Sequence, residues 1–167
     1  MFLHVLTIAA SIALGAVIPH AEVQTLSGKN IVLPDALSGR PAILVVGFTN
    51  RSRSQTAAWG TQLAKDFGNE PRLQRLSLAV LDDVPAFVRG MVITGIRRGV
   101  PKDQHDTFLL LFHDAQPWKD LTDFKNSDEA YVLLVDPTSK VVAQTHGSPE
   151  TAYAQVQPEI RALLKQN

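Results

Sequence analysis

The chain of 167 residues contains no cysteine. Disulfide frameworks, thiolate zinc sites and iron–sulfur clusters are therefore excluded. The chain also lacks a charge excess, because 16 lysine and arginine residues balance 16 aspartate and glutamate residues. A neutral chain has no general attraction for nucleic acid, so we predict no nucleic-acid partner. Its length and its 45% hydrophobic composition indicate one globular domain with a single sizeable core.

The first 21 residues lack aspartate, glutamate, lysine and arginine, and residues 2–18 are largely apolar. Small residues at Ala16 and Ala21 resemble the cleavage sites of secretory signals. An uncleaved membrane anchor over residues 2–18 is also consistent, since an apolar run of ~17–20 residues approaches bilayer-spanning length. A buried N-terminal helix is the alternative. We predict export to the periplasm or another extracytoplasmic space, with 1–21 as signal or anchor and 22–167 as one domain.

The rest of the chain alternates between strand and helix patterns, which favours the α/β class with a central mixed sheet flanked by helices. The predicted strands are a hairpin over Val23–Leu33, runs at Pro41–Phe48, Leu73–Leu81 and Thr107–Phe112, and a second hairpin over Tyr131–Thr145. The predicted helices run from near Ser54 to Gly68, along the apolar repeat beginning at Val84, and from Ser148–Pro149 towards Leu164.

The middle helix is defined by a repeat at i, i+3, i+4, i+7, i+8 and i+11, which predicts an amphipathic helix with an apolar stripe: Val84, Phe87, Val88, Met91, Val92 and Gly95. Two arginines, Arg97 and Arg98, follow this stripe. They are candidate partner-binding residues. Alternatively, they stabilise the C-terminal end of the helix through its dipole.

The order of elements resembles the thioredoxin-like superfamily, especially its peroxiredoxin and redoxin branch. The resemblance rests on the buried strand Pro41–Phe48, the loop that follows it, the helix carrying Trp59, and the late hairpin with Leu133–Asp136. It covers the chain from about Val23 to Leu164. In that superfamily the loop and the first helical turn hold the reactive cysteines.

The reactive positions of the superfamily are replaced in this chain. Its first catalytic cysteine falls near Arg53, its second near Thr56, and its cis-proline near Ala130. A cis bond before alanine would cost ~3 kcal/mol, so we expect the trans form there. Thiolate chemistry needs a sulfur. We therefore predict no catalytic residues and no activity as a thiol-dependent oxidoreductase.

A narrower resemblance is to the mitochondrial ATP-synthase assembly-factor family. Its basic Ile-Arg-Lys step is matched by Ile96-Arg97-Arg98, and its Gly-Tyr-Val-x-Leu-Val-Asp hairpin by Ala130–Asp136. Two departures are alanine for glycine at position 130, and Val141–Gln144 in place of the usual Ile-Arg-Trp. Members help to build the membrane sector with a thioredoxin-like domain that lacks the redox pair. The resemblance implies a protein partner and a role in the assembly of a membrane complex.

The altered loop itself is a candidate binding site. It comprises six polar residues: Asn50, Arg51, Ser52, Arg53, Ser54 and Gln55. They stand where a helix begins, so free N–H groups and two guanidinium groups would suit a small anion. An ordinary polar helix start, with Ser52 and Ser54 as caps, is the alternative.

Other candidate chemistry is sparse. Three histidines, His105, His113 and His146, show no metal-binding spacing, so we predict no metal site and no cofactor. Two classes of function remain. One is a non-redox binding or assembly module of the cell envelope. The other is an anion-binding protein or thiol-independent enzyme that uses the loop at 50–55, and the missing reactive groups favour the first.

Overall fold

The computed structural model describes residues 13–166, which form one mixed sheet with helices on both faces. The strands are β1 (Ala21–Thr25), β2 (Asn30–Leu33), β3 (Ala42–Gly47), β4 (Gln74–Val80), β5 (Phe108–Leu111), β6 (Ala130–Val135) and β7 (Val141–His146). The helices are α1 (Arg53–Phe67), α2 (Arg89–Gly99), α3 (Gln116–Thr122) and α4 (Pro149–Lys165). The predicted fold class is confirmed, and the predicted elements occur in the predicted order, but α3 was not predicted.

The sheet has the strand order β2-β1-β5-β4-β3-β6-β7. At its centre β3 pairs in parallel with β4 and antiparallel with β6. Both predicted hairpins are present, as β1–β2 and β6–β7. This arrangement places the end of β3, the start of α1 and the start of β6 at the same edge of the sheet.

The core lies in two layers because successive residues of β3 face opposite sides of the sheet. Leu44 and Val46 pack in the layer that contains Trp118 of α3. Ile43 and Val45 pack in the layer that contains Trp59 of α1, together with the buried side of α4. An unbroken apolar strand is therefore buried on both faces, as its sequence predicts.

Residues 13–21 are part of the folded body. Ile18 is 2% exposed, and its backbone N–H donates to the carbonyl of Ser139 at 3.1 Å. Val141 exchanges backbone hydrogen bonds with this segment, accepting from Gly15 and donating to Ala16, each at 2.8 Å. The predicted signal or anchor at 1–21 thus overlaps the fold over 13–21, and residues 1–12 lie outside the described residues.

The amphipathic helix predicted from Val84 onwards forms only over Arg89–Gly99, and none of its residues is buried. Phe87, in the 3-10 turn that precedes it, is 89% exposed and Met91 is 73% exposed. The apolar spacing correctly indicated a helix, yet two large residues of its apolar stripe lie in solvent.

Candidate functional site

The loop between β3 and α1 is a 3-10 turn over Asn50–Ser52, followed directly by α1. Thr49 caps this turn, since its hydroxyl accepts a hydrogen bond from the backbone N–H of Arg51 at 3.1 Å. Ser52 is buried and its hydroxyl donates to the carbonyl of Thr49 at 2.9 Å. The prediction that Ser52 caps α1 is therefore wrong, because its hydroxyl points back into the turn.

Close packing under this loop depends on a glycine. A Cβ at Gly47, the last residue of β3, would lie 2.9 Å from the Ser52 hydroxyl and 3.1 Å from the Thr56 methyl group. A larger residue at position 47 would therefore require the Ser52 and Thr56 side chains to shift.

Three side chains join the loop to the segment that precedes β6. The Thr49 hydroxyl donates to the carbonyl of Ser127 at 2.5 Å. The Arg51 guanidinium forms an ion pair with Asp128, with 3.2 Å between Nε and Oδ1. Further in, a third contact is made by Gln55 Oε1, which accepts from a backbone N–H of β6 at 2.9 Å.

The residue that donates to Gln55 is Ala130, at the position where the superfamily has its cis-proline. Among the described peptide bonds only Leu33–Pro34 is cis, so the bond before Ala130 is trans, as predicted. The superfamily's thiols were expected near Arg53 and Thr56, and the Thr56 hydroxyl donates to the Arg53 carbonyl at 2.9 Å.

The expectation of free N–H groups at this helix start is wrong for three residues. The N–H of Arg51 donates to the Thr49 side chain, and that of Ser52 to the Thr49 carbonyl at 3.3 Å. The N–H of Arg53 donates to the carbonyl of Asn50. Asn50, Arg51, Arg53 and Ser54 are exposed, and Gln55 is half-buried. An anion would therefore depend on the guanidinium groups.

The structure brings the loop and the basic step of α2 together. The Arg53 guanidinium lies against the backbone of Gly99, the last residue of α2, where an added methyl group would overlap it. Arg97 is exposed, and its Nε donates to the carbonyl of Leu26 at 2.8 Å. Arg98 is exposed at the same helix end. The two candidate sites predicted from sequence thus form one continuous surface.

The histidines occupy separate places. His105 Nε2 lies 2.9 Å from the Val100 carbonyl, His113 is exposed, and His146 Nδ1 lies 2.7 Å from the Glu129 carboxylate. Residues 13–166 contain no cluster of three histidine or carboxylate side chains suited to a metal ion. Within the same range, no helix has the length and apolar character needed to cross a bilayer.

Sequence reasoning missed a tyrosine that organises the loop before β6. The Tyr131 hydroxyl accepts from the backbone N–H groups of Lys125 and Asn126 at 3.0 and 2.9 Å. Its ring packs against Phe48 and Phe124, with centroid distances of 5.6 and 5.7 Å. A tyrosine opening a buried strand was the available signal, because a buried hydroxyl needs partners.

Asp136 orders the turn of the β6–β7 hairpin. Its Oδ1 accepts from the Thr138 N–H at 2.8 Å, the Thr138 hydroxyl at 2.7 Å and the Lys140 N–H at 3.1 Å. Partial burial raises the pKa of this carboxyl, but these hydrogen bonds together hold it below its ordinary value. The aspartate that closes the matched hairpin motif therefore has a structural role.

The chain has the thioredoxin-like fold and contains no cysteine. The chain belongs to the ATP10 protein family, whose model matches residues 13–156. No curated protein matches it. The family and the missing cysteines together suggest a non-redox role in assembly, and the assembly-factor resemblance seen in the sequence is confirmed.

Solved structures share the fold at low sequence identity. BsSco, described as a member of the Sco family of cytochrome c oxidase assembly proteins, has a TM-score of 0.65 and 18% identity, covering 93% of this chain and 97% of its own. A putative protein disulfide isomerase from Bacteroides thetaiotaomicron has 0.63 and 18%, covering 91% and 90%. A putative DsbE from Chlorobium tepidum has 0.60 and 19%, covering 90% and 97%.

Proposed function

We propose that this chain is a non-redox protein-binding module of the cell envelope that assists the assembly of a membrane complex. The observation that carries the proposal is the closed loop around Gln55. The chain keeps the thioredoxin-like framework, yet hydrogen bonds within the domain occupy the backbone at Ala130. A framework retained without its chemistry is suited to holding another protein.

The family supports the choice of partner. Membership of the ATP10 protein family favours an assembly substrate, and the resemblance noted in the sequence points to an ATP synthase. BsSco, which has the same fold, belongs to a family of assembly proteins for another membrane complex. The partner we propose is therefore a protein subunit on its way into a membrane complex.

Deletion of the gene in its source organism tests this function. We expect less of the assembled complex on native gels of the membrane fraction, and restoration by the wild-type chain. Normal amounts of every membrane complex in the deletion strain would refute the proposal. The purified chain should also reduce no disulfide and no peroxide, because thiol–disulfide exchange requires a thiolate.

We also propose export. Related folds include an exposed lipoprotein thioredoxin of Streptococcus pneumoniae, which covers 87% of this chain at a TM-score of 0.57. N-terminal sequencing of the protein from the envelope fraction tests the location. A mature chain that begins at or before Ala13 keeps Ile18 in the core, whereas cleavage after Ala21 removes it. A cytoplasmic product that retains Met1 would contradict export.

An anion-binding function is the second candidate, and Arg53 is the observation that favours it. Within residues 13–166 its guanidinium makes no ion pair, although it lies beside the turn that carries Arg51. A thermal-shift screen of anionic metabolites tests this function, because a bound ligand raises the apparent stability. A shift that is lost in Arg53→Gln would support an anion site. If no anion raises the melting temperature, protein binding remains as the single proposed function.

A further inference from the structure

One side of α2 and the turn before it carry exposed apolar residues. Met91, Thr94 and Arg98 are spaced at i, i+3 and i+7, which places them on one side of the helix. All three are exposed, and Phe87 in the preceding turn is 89% exposed. We call this surface, formed by Phe87, Met91, Thr94 and Arg98, the α2 face.

Gly90 and Gly95 leave the surface of α2 without side chains at these two positions. A Cβ at Gly90 or Gly95 would meet no atom within 4 Å, so both positions border open space. The helix has no buried residue and contains three glycines, Gly90, Gly95 and Gly99, so it gains little stability from its own sequence. Phe87 and Met91 lie four positions apart and form one exposed apolar cluster, and contiguous apolar patches on protein surfaces mark sites of contact with other molecules.

The surroundings of the α2 face have a charge imbalance that the whole chain lacks. Residues 84–102 contain four basic residues and no acidic residue: Arg89, Arg97, Arg98 and Lys102. Across the described range none of the four forms an ion pair. Two are held by other groups, since Arg89 lies over the Phe112 ring and Arg97 donates to a carbonyl.

Within residues 13–166, Arg98 and Lys102 make neither a ring contact nor a hydrogen bond through their charged groups. The Arg53 guanidinium lies against Gly99, between these two residues in sequence, and adds a third cation to this end of α2. Cations without carboxylate partners remain available to a binding protein. Electrostatic complementarity then requires that the partner supply the carboxylates. The C-terminal end of the α2 face is therefore cationic, and its exposed apolar side chains lie towards the N-terminal end.

We propose that the α2 face binds an amphipathic helix of a partner protein. The apolar residues of that helix contact Phe87 and Met91, and its carboxylates contact Arg98 and Arg53. Met91 and Arg98 are seven residues apart, about 10 Å along the helix. The partner helix therefore carries its carboxylates about two turns from its apolar contacts. This inference rests on the proposed binding function and assigns it a surface.

Two other occupants fit less well. A second copy of this chain, placed symmetrically, would bring one cationic α2 face against another. A lipid surface would require a continuous apolar side, whereas the α2 face offers two large apolar side chains beside glycine and threonine. The side chains of a partner helix can occupy the open space above Gly90 and Gly95.

A synthetic helix of about 18 residues, five turns long, provides the probe. It carries leucine on one side and glutamate on the other, and a matched peptide carries glutamine in place of glutamate. Binding to the purified full-length chain is measured by fluorescence anisotropy. We expect the glutamate peptide to bind at least tenfold more tightly than the glutamine peptide, and to weaken as salt is raised.

Variants locate the binding. Phe87→Ser with Met91→Ser should weaken binding of the glutamate peptide at least tenfold. Arg98→Gln should reduce the preference for glutamate over glutamine several-fold. The control combines Val142→Ser, at an exposed apolar residue of β7, with Lys65→Gln in the last turn of α1. It should change neither quantity, and circular-dichroism melting checks that every variant folds.

Three outcomes would overturn the inference: no peptide binding, equal binding of the two peptides, or binding unaffected by the α2 variants. Binding to vesicles of phosphatidylglycerol and phosphatidylcholine is measured as well, to test a membrane as the alternative occupant. Loss of vesicle binding in the Phe87 and Met91 variant, without peptide binding, would assign the face to a membrane. A deletion strain with normal membrane complexes would refute the proposed function but not peptide binding by the α2 face. If the variant Phe87→Ser with Met91→Ser fully restores the complex in the deletion strain, the α2 face is not the binding surface, although the proposed function still holds.

Discussion

The side-chain oxygen of Gln55 accepts a hydrogen bond from the backbone N–H of Ala130 across 2.9 Å. Gln55 lies in the first turn of α1, and Ala130 is the fully buried first residue of β6. The contact therefore joins the start of α1 to the start of β6.

Replacement of Gln55 tests that relationship. Gln55→Ala leaves the buried N–H of Ala130 without this partner, at a cost of about 1–3 kcal/mol. We expect the melting temperature to fall by several degrees. Gln116→Ala is the control, because Gln116 makes an exposed hydrogen bond with Asp120 at 2.7 Å. Equal melting of the two variants would show that the contact has no structural role.

A second prediction concerns the N-terminal segment. Ile18 is 2% exposed and its neighbour Val17 is 53% exposed, so the pair gives a matched comparison. Ile18→Ala should lower the free energy of unfolding by ~2–5 kcal/mol, whereas Val17→Ala should stay within ~0.5 kcal/mol. Urea denaturation measures both. Similar values for the two variants would mean that residues 13–21 do not stabilise the folded protein.

The pH dependence of stability includes a contribution from Asp136. The hydrogen bonds from Thr138 and Lys140 outweigh burial and lower the pKa of this carboxyl. Its contribution is therefore fully present above the ordinary pKa of 3.8 and is lost as pH falls through the lowered value. Asp136→Asn should unfold at lower urea than wild type at pH 7, with a smaller difference at pH 2. A constant difference would contradict this role.

The sequence predicted most of the architecture because its strands are unusually apolar and its helix boundaries carry clear signals. Ser148–Pro149 marks the start of α4 correctly. The sequence did not predict which residues of α2 would be exposed, because periodicity identifies an apolar stripe but not the surface on which it packs. Phe87 and Met91 have the spacing of core residues and lie in solvent.

The candidate site was predicted in its parts and not in its arrangement. Arg53 and Arg97 are 44 positions apart, and no local pattern indicates that α2 ends beside the loop. The capping role of Thr49 was also missed, because Ser52 and Ser54 stand closer to the predicted helix start. A tertiary contact, the hydrogen bond from the Thr49 hydroxyl to the Ser127 carbonyl, helps to decide which of these hydroxyl residues caps the turn.

The last prediction separates binding from stability at the loop. Arg51 and Asp128 form an ion pair with 73% and 57% of their side chains exposed, so the pair contributes ~0–1 kcal/mol. Arg51→Ala with Arg53→Ala should leave the melting temperature nearly unchanged. It should weaken capture of the partner, because a desolvated guanidinium–carboxylate contact contributes more to binding than an exposed one does to folding. Capture of the partner by immobilised protein from solubilised membranes measures this effect. The control is Arg40→Ala, which removes an exposed arginine whose hydrogen bond reaches the Pro71 carbonyl. A large fall in melting temperature, or unchanged capture, would show that the loop is only part of the framework.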